Sequence, residues 1–134
     1  MEAAASSTEI AVLGWSVVLL LAQVLLQAVS TYDLGGPYLL GPRDDNRHSG
    51  NVMAGRLKRA LENLLETYPA FVALALALAV TGKTGGIAAT GAWVWLIARV
   101  VYVPLYAFGV PAVRTLAWVV SVVGLLMMLV RLVA

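Results

Sequence analysis

The sequence has 134 residues, of which 61% are hydrophobic and 12% are charged, whereas about a quarter of the residues of an ordinary soluble domain are charged. With no cysteine and one histidine, composition excludes disulfides, thiolate metal sites, cysteine nucleophiles and clustered imidazole sites. The net charge of +2 is small and scattered, which argues against a nucleic-acid-binding surface, and the length favours a single domain over residues 1–134.

The first predicted element is a membrane-spanning helix over about residues 8–30. Residues 10–29 contain no charged side chain, and a run of about 20 apolar residues is long enough to cross a bilayer core. The residues before it include Glu2 and Glu9 but no lysine or arginine, so they lack the basic region of a cleaved signal peptide. We therefore expect this helix to be retained.

Three further membrane helices follow, separated by segments rich in proline and glycine. A polar loop over about residues 31–50 precedes the second helix, residues 81–86 form a tight turn, and Gly109 to Pro111 break the chain again. The three helices are expected at about 51–80, 87–108 and 112–133. Short connections make the second, third and fourth helices antiparallel neighbours. The expected fold class is all-α, an integral membrane four-helix bundle.

The distribution of cations predicts the orientation. Most of them lie in the first loop, at the start of the second helix or where the third loop meets the fourth helix: Arg43, Arg47, Arg56, Lys58, Arg59 and Arg114. The positive-inside rule then places the first and third loops in the cytoplasm and both termini outside, in the cell's inner or plasma membrane. Trp93 and Trp95 fall near the outer end of the third helix, where an aromatic belt is expected.

Charged and polar side chains form a stripe on the second helix. Arg56, Arg59, Asn63 and Glu66 are separated by three, four and three residues, a spacing that places them on one helix face. Ionisable groups inside a membrane cost about 2.5–3.5 kcal/mol each even on the mildest scales, so they normally face the bundle interior and pair.

A second stripe lies on the third helix, where Arg99, Tyr102 and Tyr106 are separated by three and four residues. If the two stripes face each other, Glu66 can neutralise Arg99, and the tyrosine hydroxyls point toward Arg59 and Asn63. Arg114 starts the fourth helix on the same membrane side.

Such a pocket offers guanidinium groups, a carboxylate, an amide and two phenols. Guanidiniums bind carboxylates through two parallel hydrogen bonds, and a carboxylate accepts from an ammonium. The pocket therefore suits a small zwitterionic polyanion, while a lipophilic second substrate can reach it through the bilayer. An arginine beside a bound thiol also favours the thiolate, the nucleophilic form.

Simpler interpretations stay open for each group. Arg114 can be a cation that extends to the membrane surface, and Glu66 with Arg99 can be an ion pair that only fixes helix register. Tyr102 and Tyr106 can be packing aromatics, and Arg56 can serve to set topology, as we expect for Lys58 and Arg43. Adjacent carboxylates Asp44 and Asp45 near His48 are weak grounds for a metal, and no metal site is predicted.

Three segments together resemble one family. Residues 59–71 resemble the second-helix signature R-A-x-x-N-x-x-E-x-x-P-x-F of the MAPEG family, membrane-associated proteins in eicosanoid and glutathione metabolism. Residues 98–106 resemble its third-helix segment, in which an arginine is followed by two ring-bearing residues, and residues 109–115 resemble its junction of helices three and four. Residues 41–45 resemble a loop of bacterial-type members.

The resemblance implies a homotrimer that binds glutathione between neighbouring subunits. It assigns glutathione contacts to Arg59, Asn63, Glu66, Tyr102 and Tyr106, to which we add Arg56 from the same stripe. Arg114 resembles the residue that stabilises the thiolate, and Arg99 the structural partner of Glu66.

Two functions follow as hypotheses. The first is a membrane-bound glutathione-dependent transferase or peroxidase that acts on lipophilic electrophiles or hydroperoxides, with glutathione as co-substrate. The alternative is a non-catalytic lipid-binding protein that keeps the fold of the family.

Overall fold

A computed structural model describes residues 6–31 and 52–134 of the chain. Within these two stretches the chain forms four α-helices: α1 (Thr8–Ser30), α2 (Val52–Thr81), α3 (Gly86–Ala107) and α4 (Pro111–Val133). The predicted all-α four-helix architecture is confirmed. Outside the described residues lie Glu2, Arg43, Arg47, the carboxylates and histidine considered for a metal (Asp44, Asp45 and His48), and the bacterial-type resemblance at residues 41–45.

The helices begin where the sequence supplies suitable capping residues. Ser7 precedes α1 in extended conformation, and its hydroxyl accepts the Ile10 N–H at 3.3 Å, which satisfies one of the free donors of a helix start. Gly85 precedes α3 with φ of 90°, a conformation that favours glycine. Pro111 opens α4, where its fixed φ and missing N–H fit the first turn.

All four helices are long and apolar enough to cross a membrane, and large apolar side chains cover their outer faces. Leu25 of α1, Val80 of α2 and Leu116 of α4 are more than half exposed in the single chain. Such continuous apolar surface marks a surface in contact with lipid rather than water. The protein is therefore an integral membrane protein.

The interior of the bundle is built around three aromatic rings. Phe71 of α2 and Trp95 of α3 stack with centroids 4.0 Å apart, and Tyr68 meets the Trp95 ring edge-on at 5.9 Å. The Ser16 hydroxyl of α1 hydrogen-bonds the Tyr68 hydroxyl at 2.7 Å. The expected place of Trp95 in an aromatic belt is wrong, because Trp95 is fully buried in this core, whereas Trp93 is 42% exposed.

Helices α3 and α4 approach each other at two glycines. A Cβ atom on Gly91 would lie 2.6 Å from the Gly124 carbonyl oxygen, and one on Gly124 would lie 2.6 Å from the Gly91 carbonyl oxygen. Small residues allow membrane helices to pack backbone against backbone. This contact fixes α4 against the helix that carries Arg99, Tyr102 and Tyr106.

Hydrogen bonds connect the helices at the end of the bundle that contains Gly85, here called the Gly85 end. The buried Glu9 carboxylate of α1 accepts the Gly85 N–H at 2.9 Å. The Lys83 ammonium donates to the Leu132 carbonyl at 2.8 Å, and Arg131 donates to the Lys83 carbonyl at 3.1 Å. The turn between α2 and α3 is thus bonded to both α1 and α4, and this fixes the relative depth of the helices.

Candidate functional site

The predicted site residues of α2, α3 and α4 lie toward the opposite end of the bundle, here called the Gly109 end. Arg56 begins this region by donating from Nη1 to the Ala107 carbonyl at 3.1 Å, so it satisfies a free acceptor at the end of α3. A Cβ atom on Gly109, whose φ is 70°, would lie 3.1 Å from the Arg56 guanidinium. In this structure Arg56 therefore holds the α3–α4 junction.

Tyr106 lies between two guanidinium groups. The Arg114 guanidinium carbon is 4.4 Å from the centre of the Tyr106 ring, and that of Arg59 is 6.0 Å from it. The Tyr102 ring lies next along α3, with its centroid 5.6 Å from that of Tyr106. Cation–π attraction, worth about 0.5–2 kcal/mol according to exposure, holds Arg114 over the ring although the two belong to different helices.

Arg99 is the most deeply buried cation among the described residues, with 1% of its surface exposed. Its Nη1 donates to the Asn63 side-chain oxygen at 2.8 Å, and its guanidinium carbon lies 4.4 Å from the centre of the Tyr102 ring. A charge-assisted hydrogen bond contributes about 1.5–3 kcal/mol and a desolvated cation–π contact about 2 kcal/mol. Together they offset the cost of about 2.5–3.5 kcal/mol for placing this charge in a membrane helix.

The stripes on α2 and α3 thus face each other at Asn63 and Arg99. Glu66 is exposed, and the side-chain hydrogen bond of Arg99 goes to Asn63. A direct Glu66–Arg99 ion pair stays a prediction.

Two cations and one phenol of the Gly109 end are accessible in the single chain. Arg59 is exposed, and Arg114 and Tyr106 are half-buried. Guanidinium and phenol groups are hydrogen-bond donors, so the cluster suits the carboxylates or the ionised sulfur of an anionic ligand.

A family model described as the MAPEG family matches residues 10–134, which is nearly the whole chain and includes α2, α3, α4 and all but the first two residues of α1. The chain belongs to the MAPEG family. No curated protein and no solved structure matched it. Membership fits a membrane protein with a glutathione-related activity or a related function.

The structure of this MAPEG protein also shows interior polar residues on α1, outside the two predicted polar stripes. Gln23 of α1 is 2% exposed, and neither polar atom of its amide has a hydrogen-bond partner. Ser16 and Glu9 are fully buried on the same helix. Their spacing of seven residues each was a detectable signal, because it places polar groups on one face of an otherwise apolar helix.

Proposed function

We propose that this MAPEG protein is a membrane-bound glutathione-dependent transferase or peroxidase that acts on lipophilic electrophiles or hydroperoxides. The observation that supports the proposal most is the placement of Tyr106 between Arg59 and Arg114. Residues of three helices meet there, and the three segments that carry them, residues 59–71, 98–106 and 109–115, each resemble a segment of the family. An apolar bundle surface lies beside them, open to a lipophilic substrate from the bilayer.

The side chains present fit the chemistry of glutathione. Its two carboxylates suit guanidinium groups such as that of Arg59, and its ammonium suits the exposed Glu66 carboxylate. The Asn63 amide and the phenols of Tyr102 and Tyr106 complete the proposed contacts. Arg56, which also donates to the end of α3, is the remaining proposed glutathione contact.

Arg114 is the proposed catalytic residue. Glutathione supplies a thiol, and a guanidinium at that sulfur favours its ionised form. In conjugation by substitution, a sulfur–carbon bond forms while the bond from that carbon to its leaving group breaks. The leaving group departs with the electron pair, and the thiol proton passes to solvent. In hydroperoxide reduction, two thiols are oxidised to one disulfide while the hydroperoxide becomes an alcohol and water.

We propose that the protein forms a homotrimer. The charge of Glu66 on α2 supports this assembly. Glu66 precedes Thr81, the last residue of α2, by fifteen residues, or about 22 Å along the helix, which is within a hydrocarbon core of about 30 Å. An exposed carboxylate facing lipid at that depth is costly. A second copy of the chain that covers Glu66 would remove this cost, and the family resemblance sets the number of copies at three.

We also propose that the Gly109 end is cytoplasmic. It carries Arg56, Lys58, Arg59 and Arg114, whereas the Gly85 end carries Lys83 and Arg131. The larger number of cations near short loops is the feature that sets orientation.

Glutathione binding gives the direct test of this function. A ligand that binds only the folded protein raises stability, by about 2.7 kcal/mol at a concentration one hundred times Kd. We expect glutathione to raise the Tm of the detergent-purified protein in a saturable way, and free cysteine at the same concentration to have little effect. Arg59→Ala should weaken the response, while Lys58→Ala, which removes the neighbouring exposed cation, should leave it.

The alternative, a non-catalytic lipid-binding protein, is favoured by one observation. Arg56 and Arg99 both bond groups of the chain itself, Ala107 and Asn63, as structural residues would. If glutathione does not change Tm but a lipid extract raises it, the enzyme proposal is rejected in favour of this alternative.

A further inference from the structure

Gln23 is an unusual residue for the middle of a membrane helix. It is 2% exposed, and both its amide nitrogen and its carbonyl oxygen are buried without a hydrogen-bond partner. An amide left in this state costs more than the apolar side chain of the same size that could replace it. We therefore expect the Gln23 amide to have a hydrogen-bond partner, and no side chain in the described part of the chain provides one directly.

Arg99 has buried hydrogen-bond donors without an acceptor among the described residues. Its Nη1 bonds Asn63, but its Nε and Nη2 are buried without a partner. In the planar fork of a guanidinium, these two N–H groups can form one edge that binds a single oxygen acceptor or a pair of them. One edge of this buried cation thus remains to be satisfied.

Gln23 and Arg99 lie at the same depth in the bundle. The hydrogen bond between the Glu9 carboxylate and the Gly85 N–H places the starts of α1 and α3 at the same depth, at the Gly85 end. Both helices run from there in the same direction. Gln23 follows Glu9 by fourteen residues, and Arg99 follows Gly85 by fourteen. At a rise of 1.5 Å per residue, each lies about 21 Å from that bond.

By helix periodicity, the two side chains also lie on helix faces that pack toward the same part of the core. Ser16 of α1 bonds Tyr68, and the Tyr68 ring packs edge-on against Trp95 of α3. Gln23 lies two turns beyond Ser16 on the same face of α1, and Arg99 lies one turn beyond Trp95 on the same face of α3. Both residues are almost completely buried, which agrees with this orientation.

We propose that Gln23 is a positioning residue for Arg99, and that an ordered water bridges its amide to the Nε–Nη2 edge of the guanidinium. The two groups make no direct hydrogen bond, and a bridging water is the usual means by which polar groups interact over a longer distance. A buried water requires two to four polar partners, which Nε, Nη2 and the Gln23 amide provide. Arg99 then holds Asn63 and the Tyr102 ring in place. The effect on ligand binding rests on the proposed function, because Asn63 and Tyr102 belong to that site.

The contact between Gln23 and Arg99 is tested by whether two substitutions raise or lower stability. Stability is measured as the Tm of the detergent-purified protein without glutathione. If Gln23 has no partner, Gln23→Leu removes an unsatisfied amide and raises Tm. If Gln23 shares a water with Arg99, the same change leaves the cation edge unsatisfied, and we expect Tm to fall by about 4 °C or more. An unchanged or higher Tm for Gln23→Leu overturns the contact.

Gln23→Glu provides the second test of the contact. A carboxylate beside the free edge of Arg99 replaces the amide by a charged acceptor, so Tm should equal or exceed that of the unaltered protein. A carboxylate buried away from a cation would lower Tm strongly, and that result contradicts the proposal. Gln27→Leu is the matched control, because Gln27 lies one turn further along α1 and is half-buried, and its Tm should change little.

Positioning is tested separately by the glutathione Kd. We expect Gln23→Leu to weaken binding by about five-fold, part of the value of one hydrogen bond, and Gln23→Glu to restore it. If Gln23→Leu lowers Tm but leaves the glutathione Kd unchanged, the positioning role is overturned and only the contact of Gln23 with Arg99 is supported. If the unaltered protein binds no glutathione, the proposed function fails, whereas the two Tm signs still decide whether Gln23 and Arg99 interact.

Discussion

Gly124→Ala should lower the free energy of unfolding by about 3 kcal/mol or more, the upper range for overpacking. The added methyl group would lie 2.6 Å from the Gly91 carbonyl oxygen and 2.7 Å from the Trp95 backbone nitrogen. Both are backbone atoms, which cannot rotate away as a side chain can, so α3 and α4 must separate. The measurement is unfolding by heat or denaturant in detergent, with oligomeric state followed by size exclusion.

Gly14→Ala is the matched control for this prediction. Gly14 also lies within a helix, but a Cβ atom there would have no neighbour within 4 Å. Alanine favours helix over glycine by about 0.8–1 kcal/mol, so this variant should be as stable as the unaltered protein or slightly more so. Equal stability of the two variants would show that the backbone contact of α3 with α4 does not limit packing.

The four helices could be predicted because their signals are local. Apolar runs of membrane length with few charged residues, together with breaks at Gly82, Gly85 and Gly109, all of which have positive φ, mark the helices along the chain. The close contact of Gly91 with Gly124 could not be predicted, because it depends on how two helices rotate against each other. The same rotation buries Trp95 and exposes Trp93, two residues that composition does not distinguish.

The candidate site could be predicted in part for a similar reason. Spacing of three and four residues placed Arg99, Tyr102 and Tyr106 on one face of α3, and the hydrogen bond of Arg99 to Asn63 shows that this face meets α2. The choice of Asn63 over Glu66 as hydrogen-bond partner depends on a shift of one helical turn, which spacing does not fix. The spacing of Glu9, Ser16 and Gln23 indicates one polar face on α1, but it does not say that this face is buried against the other helices.

Arg114→Ala should lower the rate of glutathione conjugation by about 10²–10³-fold, the usual effect of removing one group that stabilises a developing or resident anion. Arg114 lies over the Tyr106 ring at 4.4 Å, so its guanidinium is held at a defined position beside the proposed ligand. The measurement is kcat and KM with a lipophilic electrophile, together with glutathione Kd. If Arg114 acts on the thiolate, kcat falls while Kd stays within about two-fold.

Arg131→Ala is the control from the other end of the same helix. Arg131 donates to the Lys83 carbonyl at an exposed position of the Gly85 end, and its loss should not change the conjugation rate. A fall in rate for Arg114→Ala that only follows a weaker Kd would assign Arg114 to binding rather than to chemistry. An unchanged rate would remove it from the site, and the contact with Tyr106 would then serve to hold the start of α4 against α3. The separation of Kd from kcat matters because a cation over an aromatic ring stabilises the protein with or without catalysis, and only the response of the bound thiol distinguishes the two roles.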